Sequence, residues 1–97
     1  MRLFEVIDRK NRLIYLTSIG WKHICSEHPD IVNDFERIKD TVLRPLLKRK
    51  SYDETTVGLY YKYYKDKREY LIVIAKYLNG EGFVLTSFYI EKINKSF

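Results

Sequence analysis

The sequence has few of the residues that mark several protein classes. Cys25 is the only cysteine in 97 residues, so an intramolecular disulfide is impossible, a secreted disulfide scaffold is excluded, and we expect a reducing, cytoplasmic location. No apolar run approaches the roughly 20 residues that a membrane-spanning helix needs, and no signal peptide is visible. Two prolines and four glycines are too few for a flexible linker. The length predicts a single domain over residues 1–97.

Several kinds of catalytic and cofactor motif are also missing. The chain has no phosphate-binding glycine loop, no serine in a nucleophile elbow, and no paired carboxylates on one predicted strand, as a glycosidase would need. Its only two histidines, His23 and His28, are five residues apart, which is about 140° around a helix and places them on different faces. We therefore predict no metal and no cofactor.

The charge that is present is unevenly distributed. The net charge is +5, and residues 44–97 hold the basic excess together with most of the tyrosines. Basic side chains interleaved with aromatic ones are typical of surfaces that bind nucleic acid through phosphates and stacking. A lysine-rich solvated surface with tyrosine in a sheet explains the same composition, and composition alone favours that second interpretation.

The N-terminal half predicts a hairpin and two helices. Residues 3–7 and 12–16 alternate like two short strands around a polar turn. Thr17 or Ser18 can cap a helix from about Ile19 to Glu27 or His28, which Pro29 ends. Asp30 can cap a second helix that Pro45 stops, with an apolar stripe at helical spacing: Ile31, Phe35, Ile38 and Val42.

The C-terminal half predicts a basic connector and three successive antiparallel strands. The connector runs from Leu46 to Tyr52, and the strands cover 57–64, 69–78 and 82–90. The middle strand is almost continuously apolar and should be central, and Asn79-Gly80 is a strong hairpin signal. The predicted fold class is α+β, with an N-terminal hairpin and two helices packed on an antiparallel sheet of about four strands.

Two-residue turns would place several polar side chains on shared faces of this sheet. They would pair Lys62 with Leu71, Tyr61 with Ile72 and Thr86 with Val73, so that Lys62 and Thr86 share one face while Tyr61 and Tyr89 share the other. A slip of one residue would exchange these sets.

Several segments resemble one known superfamily. The chain is similar to the BECR-type nuclease-fold proteins of phages and prokaryotes, named for their barnase, EndoU, colicin and RelE-like members, over about residues 15–93. The matching segments are Trp21-Lys22-His23-Ile24, His28-Pro29-Asp30, the second helix ending at Pro45, Leu59-Tyr60-Tyr61-Lys62, Tyr70 to Lys76, and Gly82-Phe83-Val84-Leu85-Thr86-Ser87-Phe88-Tyr89.

The resemblance implies a small metal-independent endoribonuclease. In that mechanism a base activates the ribose 2′-OH to attack the adjacent phosphorus, a cation stabilises the phosphorane, and an acid protonates the leaving oxygen. By position, His23 and His28 match the helix histidines, Lys62 the strand base and Thr86 the closing-strand hydroxyl. For His28 alone, a structural role at the edge of the core is the more common alternative.

RNA is the expected partner in either form of the hypothesis. The candidate RNA-binding residues are Lys48, Arg49, Lys50, Tyr61, Tyr89 and Lys92. One form is a toxin-type ribonuclease, for which a protein antitoxin or a second copy of the chain would be a further partner. The alternative is a non-catalytic RNA-binding module or protein-interaction domain of the same fold.

Overall fold

The computed structural model describes residues 1–93 as two helices and a short 3-10 turn packed on one large sheet. The elements in chain order are β1 (Arg2–Ile7), β2 (Leu13–Thr17), α1 (Ser18–Glu27), the 3-10 turn (Pro29–Ile31), α2 (Phe35–Leu43), β3 (Leu47–Lys50), β4 (Val57–Tyr64), β5 (Glu69–Leu78) and β6 (Glu81–Ile90). The α+β class is confirmed, and so are the bounds expected for β4 and β5.

The sheet is larger than the sequence predicts, and it is mixed. Its strand order is β1-β2-β6-β5-β4-β3, so the expectation of about four antiparallel strands is wrong. The N-terminal hairpin joins the sheet because β2 pairs in parallel with the start of β6. The expected basic connector instead forms β3, an edge strand paired with β4. Charged side chains are well tolerated on an edge strand, because one of its sides has no strand neighbour.

The first helix begins and ends at its local signals, whereas the second begins later than its signal predicts. Thr17 caps α1, accepting a hydrogen bond from the Gly20 N–H at 3.0 Å, and α1 ends just before Pro29. The second helix does not start at Asp30 as predicted. Pro29 begins a 3-10 turn instead, and α2 begins at Phe35 after its N-cap residue Asp34.

The two faces of the sheet carry separate apolar clusters. We call the face covered by the helices the helix face; there Tyr60, Leu71 and Val73 pack with Ile24 of α1 and Ile38 of α2. The other side, which we call the opposite face, has a smaller cluster of Leu59, Tyr61 and Ile72, against which Ile93 also packs. No helix within residues 1–93 is long and apolar enough to cross a membrane.

A bulge in β6 changes the face of every residue that follows it. The two-residue loop at Asn79-Gly80 forms as expected and pairs Leu78 with Glu81, but the register shifts by one between Ile74 and Ala75. Leu85 is the extra residue, and it is 41% exposed rather than buried as its apolar character suggests. Beyond the bulge, Thr86 pairs with Ile74 instead of Val73. The expected pairing of Lys62 with Leu71 is confirmed.

Candidate functional site

The structure places Lys62 and Thr86, which the resemblance implies act on the same phosphate, on different faces of the sheet. Lys62 pairs with Leu71 on the helix face, where its ammonium group is bound to the Asp40 carboxylate. Thr86 pairs with Ile74, which in turn pairs with Leu59 on the opposite face. The expectation that Lys62 and Thr86 share a face is therefore wrong, because the bulge supplies the one-residue slip that exchanges faces.

The two histidines also occupy different surroundings. The His23 side chain is 63% exposed on α1, with Nε2 3.2 Å from Glu27 Oε1. The His28 ring, at the end of α1, stacks on Phe88 with centroids 5.1 Å apart. His28 therefore contacts β6, the strand that carries Thr86, rather than β4, the strand that carries Lys62.

The predicted RNA-binding residues are also divided between the two faces of the sheet. Lys48 and Lys50 pair with Tyr60 and Gly58 on the helix face, whereas Arg49 pairs with Leu59 and lies over the Tyr61 ring at 5.4 Å. Tyr61 is fully buried in the opposite-face cluster, whereas Tyr89 packs on the helix face and donates a hydrogen bond to Asp34 Oδ2 at 2.6 Å. The expectation that these two tyrosines share a face is therefore wrong, because the bulge in β6 moves Tyr89 to the other side. Lys92 is exposed after β6. Stacking of a base on Tyr61 or Tyr89 would need these contacts to open.

A buried polar network that the sequence did not predict lies at one end of the helix face. Asp8 is 4% exposed, and its Oδ1 accepts hydrogen bonds from the N–H groups of Lys10 and Arg12 at 2.9 Å. Asp8 Oδ2 accepts the Tyr60 hydroxyl at 2.8 Å, and the Tyr60 and Tyr77 hydroxyl oxygens are 2.8 Å apart. Burial raises the pKa of Tyr60, and the bonds with Tyr77 and Asp8 raise it further, so Tyr60 stays a neutral donor.

Gly58 makes this network possible. A Cβ atom at that position would lie 1.9 Å from the Tyr77 hydroxyl oxygen, so only glycine lets the Tyr77 ring lie across β4. The β1–β2 turn brings Asp8 over the same end of the sheet, with Asn11 at a positive φ of 63°, a conformation that asparagine tolerates better than most residues.

Three cations surround the network. The Arg12 guanidinium carbon lies 4.0 Å above the Tyr77 ring, and the Lys48 ammonium lies 5.6 Å from the rings of both Tyr60 and Tyr77. Burial lowers the pKa of Lys48 despite the attraction of the Asp8 carboxylate. Lys50 follows two residues after Lys48 on the same face of β3. Cation–π contacts of this kind hold a positive group without neutralising it.

Beside these cations is a pocket of about 240 Å³, which we call the basic pocket. Three segments of the chain form its walls: the β1–β2 turn, the end of β3 with the loop to β4, and the end of β5 with its turn. Its lining residues are Arg12, Lys50, Thr55, Thr56, Tyr77, Asn79 and Gly80. None of them is acidic.

The cations beside the basic pocket have no carboxylate partner within residues 1–93, unlike seven others in the described chain. Seven cations elsewhere in residues 1–93 form ion pairs: Arg2, Arg37, Lys39, Arg44, Lys62, Lys67 and Lys76. Arg12, Lys48 and Lys50 form none there, because the oxygens of Asp8 are bonded to backbone N–H groups and Tyr60, while Glu54 binds Lys76. The positive charge at this end is therefore available to an anion.

Sequence reasoning found part of this site. The sequence predicts the basic run that contains Lys48 and Lys50, but it predicts only a turn role for Asp8 and a strand position for Arg12, which the structure places in the turn before β2. Tyr60 and Tyr77 meet because strands β4 and β5 pair, and Asp8 reaches them because the hairpin joins the sheet across β6. No local pattern signals either event.

Comparison with known proteins identifies no relative. No protein family, no curated protein and no solved structure matches the chain. Within residues 1–93, no three His, Cys, Asp or Glu side chains are grouped so that they could hold a metal ion.

Proposed function

We propose that this protein binds single-stranded RNA through the basic pocket and the cations beside it. The observation that carries the proposal is the convergence of Arg12, Lys48 and Lys50, without carboxylate partners among residues 1–93, around a pocket that has no acidic lining residue. Phosphate groups supply most of the affinity of proteins for nucleic acid, and unpaired Lys and Arg side chains are the groups that bind them.

The test is a binding titration at several salt concentrations. A labelled RNA of about 12 nucleotides, a usual site size for small single-strand-binding folds, is titrated with protein and followed by fluorescence anisotropy. In single-stranded RNA, each neutralised phosphate contributes a slope of about −0.7 to the plot of log K against log salt. Removing two contacts with Arg12→Gln and Lys50→Gln should therefore make the slope less negative by about 1.4 and weaken binding.

A matched control removes the same charge elsewhere. Lys22 on α1 and Lys65 in the β4–β5 turn are both exposed and lie outside the basic pocket. The Lys22→Gln, Lys65→Gln variant should keep the wild-type slope. If both double variants lose affinity equally, binding depends on net charge alone and the proposed site is wrong.

A second candidate function is metal-independent RNA cleavage on the opposite face. The observation that favours it is the contact of the His28 ring with Phe88, which lies two residues from Thr86 along β6. Total RNA incubated with the protein in EDTA would yield fragments with 2′,3′-cyclic phosphate ends. Cleavage should then require His28 and be unaffected by Lys62→Met, whereas intact RNA would exclude this function.

A further inference from the structure

The basic pocket offers hydrogen-bond donors from three directions. Arg12 contributes a guanidinium whose central carbon lies 4.0 Å from the centre of the Tyr77 ring, and Lys50 contributes an ammonium from the end of β3. Asn79, which carries a side-chain amide, lines the third wall, where the backbone turns through two positive φ angles at Asn79 and Gly80. Donors that converge from separate segments suit a compact anion with several oxygens rather than a flat base.

The charge of the pocket is matched by a doubly charged anion. Arg12 and Lys50 supply two positive charges to the lining, whereas Lys48, behind the Tyr77 ring, interacts with the buried Asp8 carboxylate. An internal phosphodiester carries one negative charge, whereas a terminal phosphate monoester carries about −1.5 to −2 at pH 7 and presents three strong acceptor oxygens. Of the two, the monoester is the better match in charge and in number of acceptors.

The number of free oxygens also favours a chain end. The pocket is an open depression at one end of the sheet, bordered by the β1–β2 turn, the loop after β3 and the β5–β6 turn. An internal phosphate has two oxygens bonded to the neighbouring sugars, whereas a terminal phosphate has only one and can present the other three to the pocket. We propose that the basic pocket is a subsite for the terminal phosphate monoester of an RNA strand, an inference that rests on the proposed RNA binding.

The experiment compares RNAs that differ only at their ends. Three oligonucleotides of one sequence are titrated: a 5′-phosphate form, a 3′-phosphate form and a form with both ends hydroxyl. The two phosphorylated forms are then titrated again in competition with inorganic phosphate. One of the two phosphorylated RNAs should bind at least about tenfold more tightly than the hydroxyl form, because the added charge gains charge-assisted hydrogen bonds. The form that gains identifies the end that is bound, and inorganic phosphate should displace it.

Two variants tie the preference to the pocket. Arg12→Gln with Lys50→Gln should reduce the ratio of phosphorylated to hydroxyl affinity to about one, since it removes both lining cations. Asn79→Gly is a milder change, because glycine adopts the observed φ of 53° freely while losing the amide, and it should lower the ratio several-fold. The Lys22→Gln, Lys65→Gln control should keep the wild-type ratio.

The outcomes separate this inference from the proposed function. Equal affinity for all three RNAs, with binding intact, would overturn the terminal-phosphate subsite and leave RNA binding standing. Absence of binding to every RNA would overturn the proposed function as well. A preference that persists in both pocket variants would place terminal-phosphate recognition elsewhere on the protein and refute the assignment.

Discussion

Replacing Tyr60 by Phe tests the buried network at the basic end of the sheet. The substitution keeps the ring, which is fully buried, and deletes only the hydroxyl that donates to Asp8 and lies 2.8 Å from the Tyr77 hydroxyl. Asp8 Oδ1 keeps its two backbone N–H donors, but Asp8 Oδ2 loses the Tyr60 hydroxyl. Asp8 is only 4% exposed, so water does not readily replace that donor. Burying an acceptor without its hydrogen bond is costly, and more so for a charged group.

The expected loss of folding stability is about 2–3 kcal/mol, the range for a buried charged group deprived of one hydrogen bond. For a domain of this size that corresponds to a fall in Tm of roughly 10–20 °C. Urea unfolding followed by circular dichroism measures the change, and the m-value should stay constant because the surface exposed on unfolding is the same.

A control variant and a double-mutant cycle test whether the loss comes from the network. Tyr52→Phe is the matched control, because Tyr52 is 83% exposed, and it should leave stability within about 0.5 kcal/mol of wild type. A double-mutant cycle of Tyr60→Phe with Asp8→Asn should show coupling above about 0.5 kcal/mol, the lower limit for residues in contact. A Tyr60→Phe loss no larger than that of Tyr52→Phe would refute the network.

Three other substitutions test separate parts of the structure. Gly58→Ala should destabilise the fold and weaken RNA binding together, since the new Cβ would overlap the Tyr77 hydroxyl; calorimetry and anisotropy on one preparation check both. Asp40→Asn should flatten the acid limb of the stability curve. The hydrogen bond from Lys62 lowers the Asp40 pKa below its usual 3.8. The folding stability that ionised Asp40 contributes is therefore fully present above pH 3.8 and is lost as the pH falls through the lowered pKa. Urea midpoints measured from pH 5 to 2 report this loss. Ile38→Ala, at a site with no exposed surface, should cost about 2–5 kcal/mol in urea unfolding, whereas Val32→Ala on the surface should cost little.

The sequence alone was sufficient for the elements whose signals are local. Thr17 caps α1 because its hydroxyl reaches the Gly20 N–H, and Pro29 ends that helix because the residue before proline is excluded from helical backbone angles. The bounds of β4 and β5, the interior position of β5 and the Asn79-Gly80 turn follow from apolar runs and turn residues adjacent in the chain. These properties depend on a few neighbouring residues, so they can be inferred without the fold.

Only the tertiary structure decided which residues meet. Strand β3 forms because it pairs with the edge of β4, and the N-terminal hairpin joins the sheet because β2 pairs with β6. In the second case the partner strand lies far along the chain. The bulge before Thr86 placed it on the face away from Lys62, since the side-chain period in a strand is two and one extra residue reverses every later face. The same long-range pairing brought Asp8, Tyr60 and Tyr77 together. None of these three side chains stands in a local sequence pattern that signals the network. Their contacts depend on strand order and register, which no local pattern encodes.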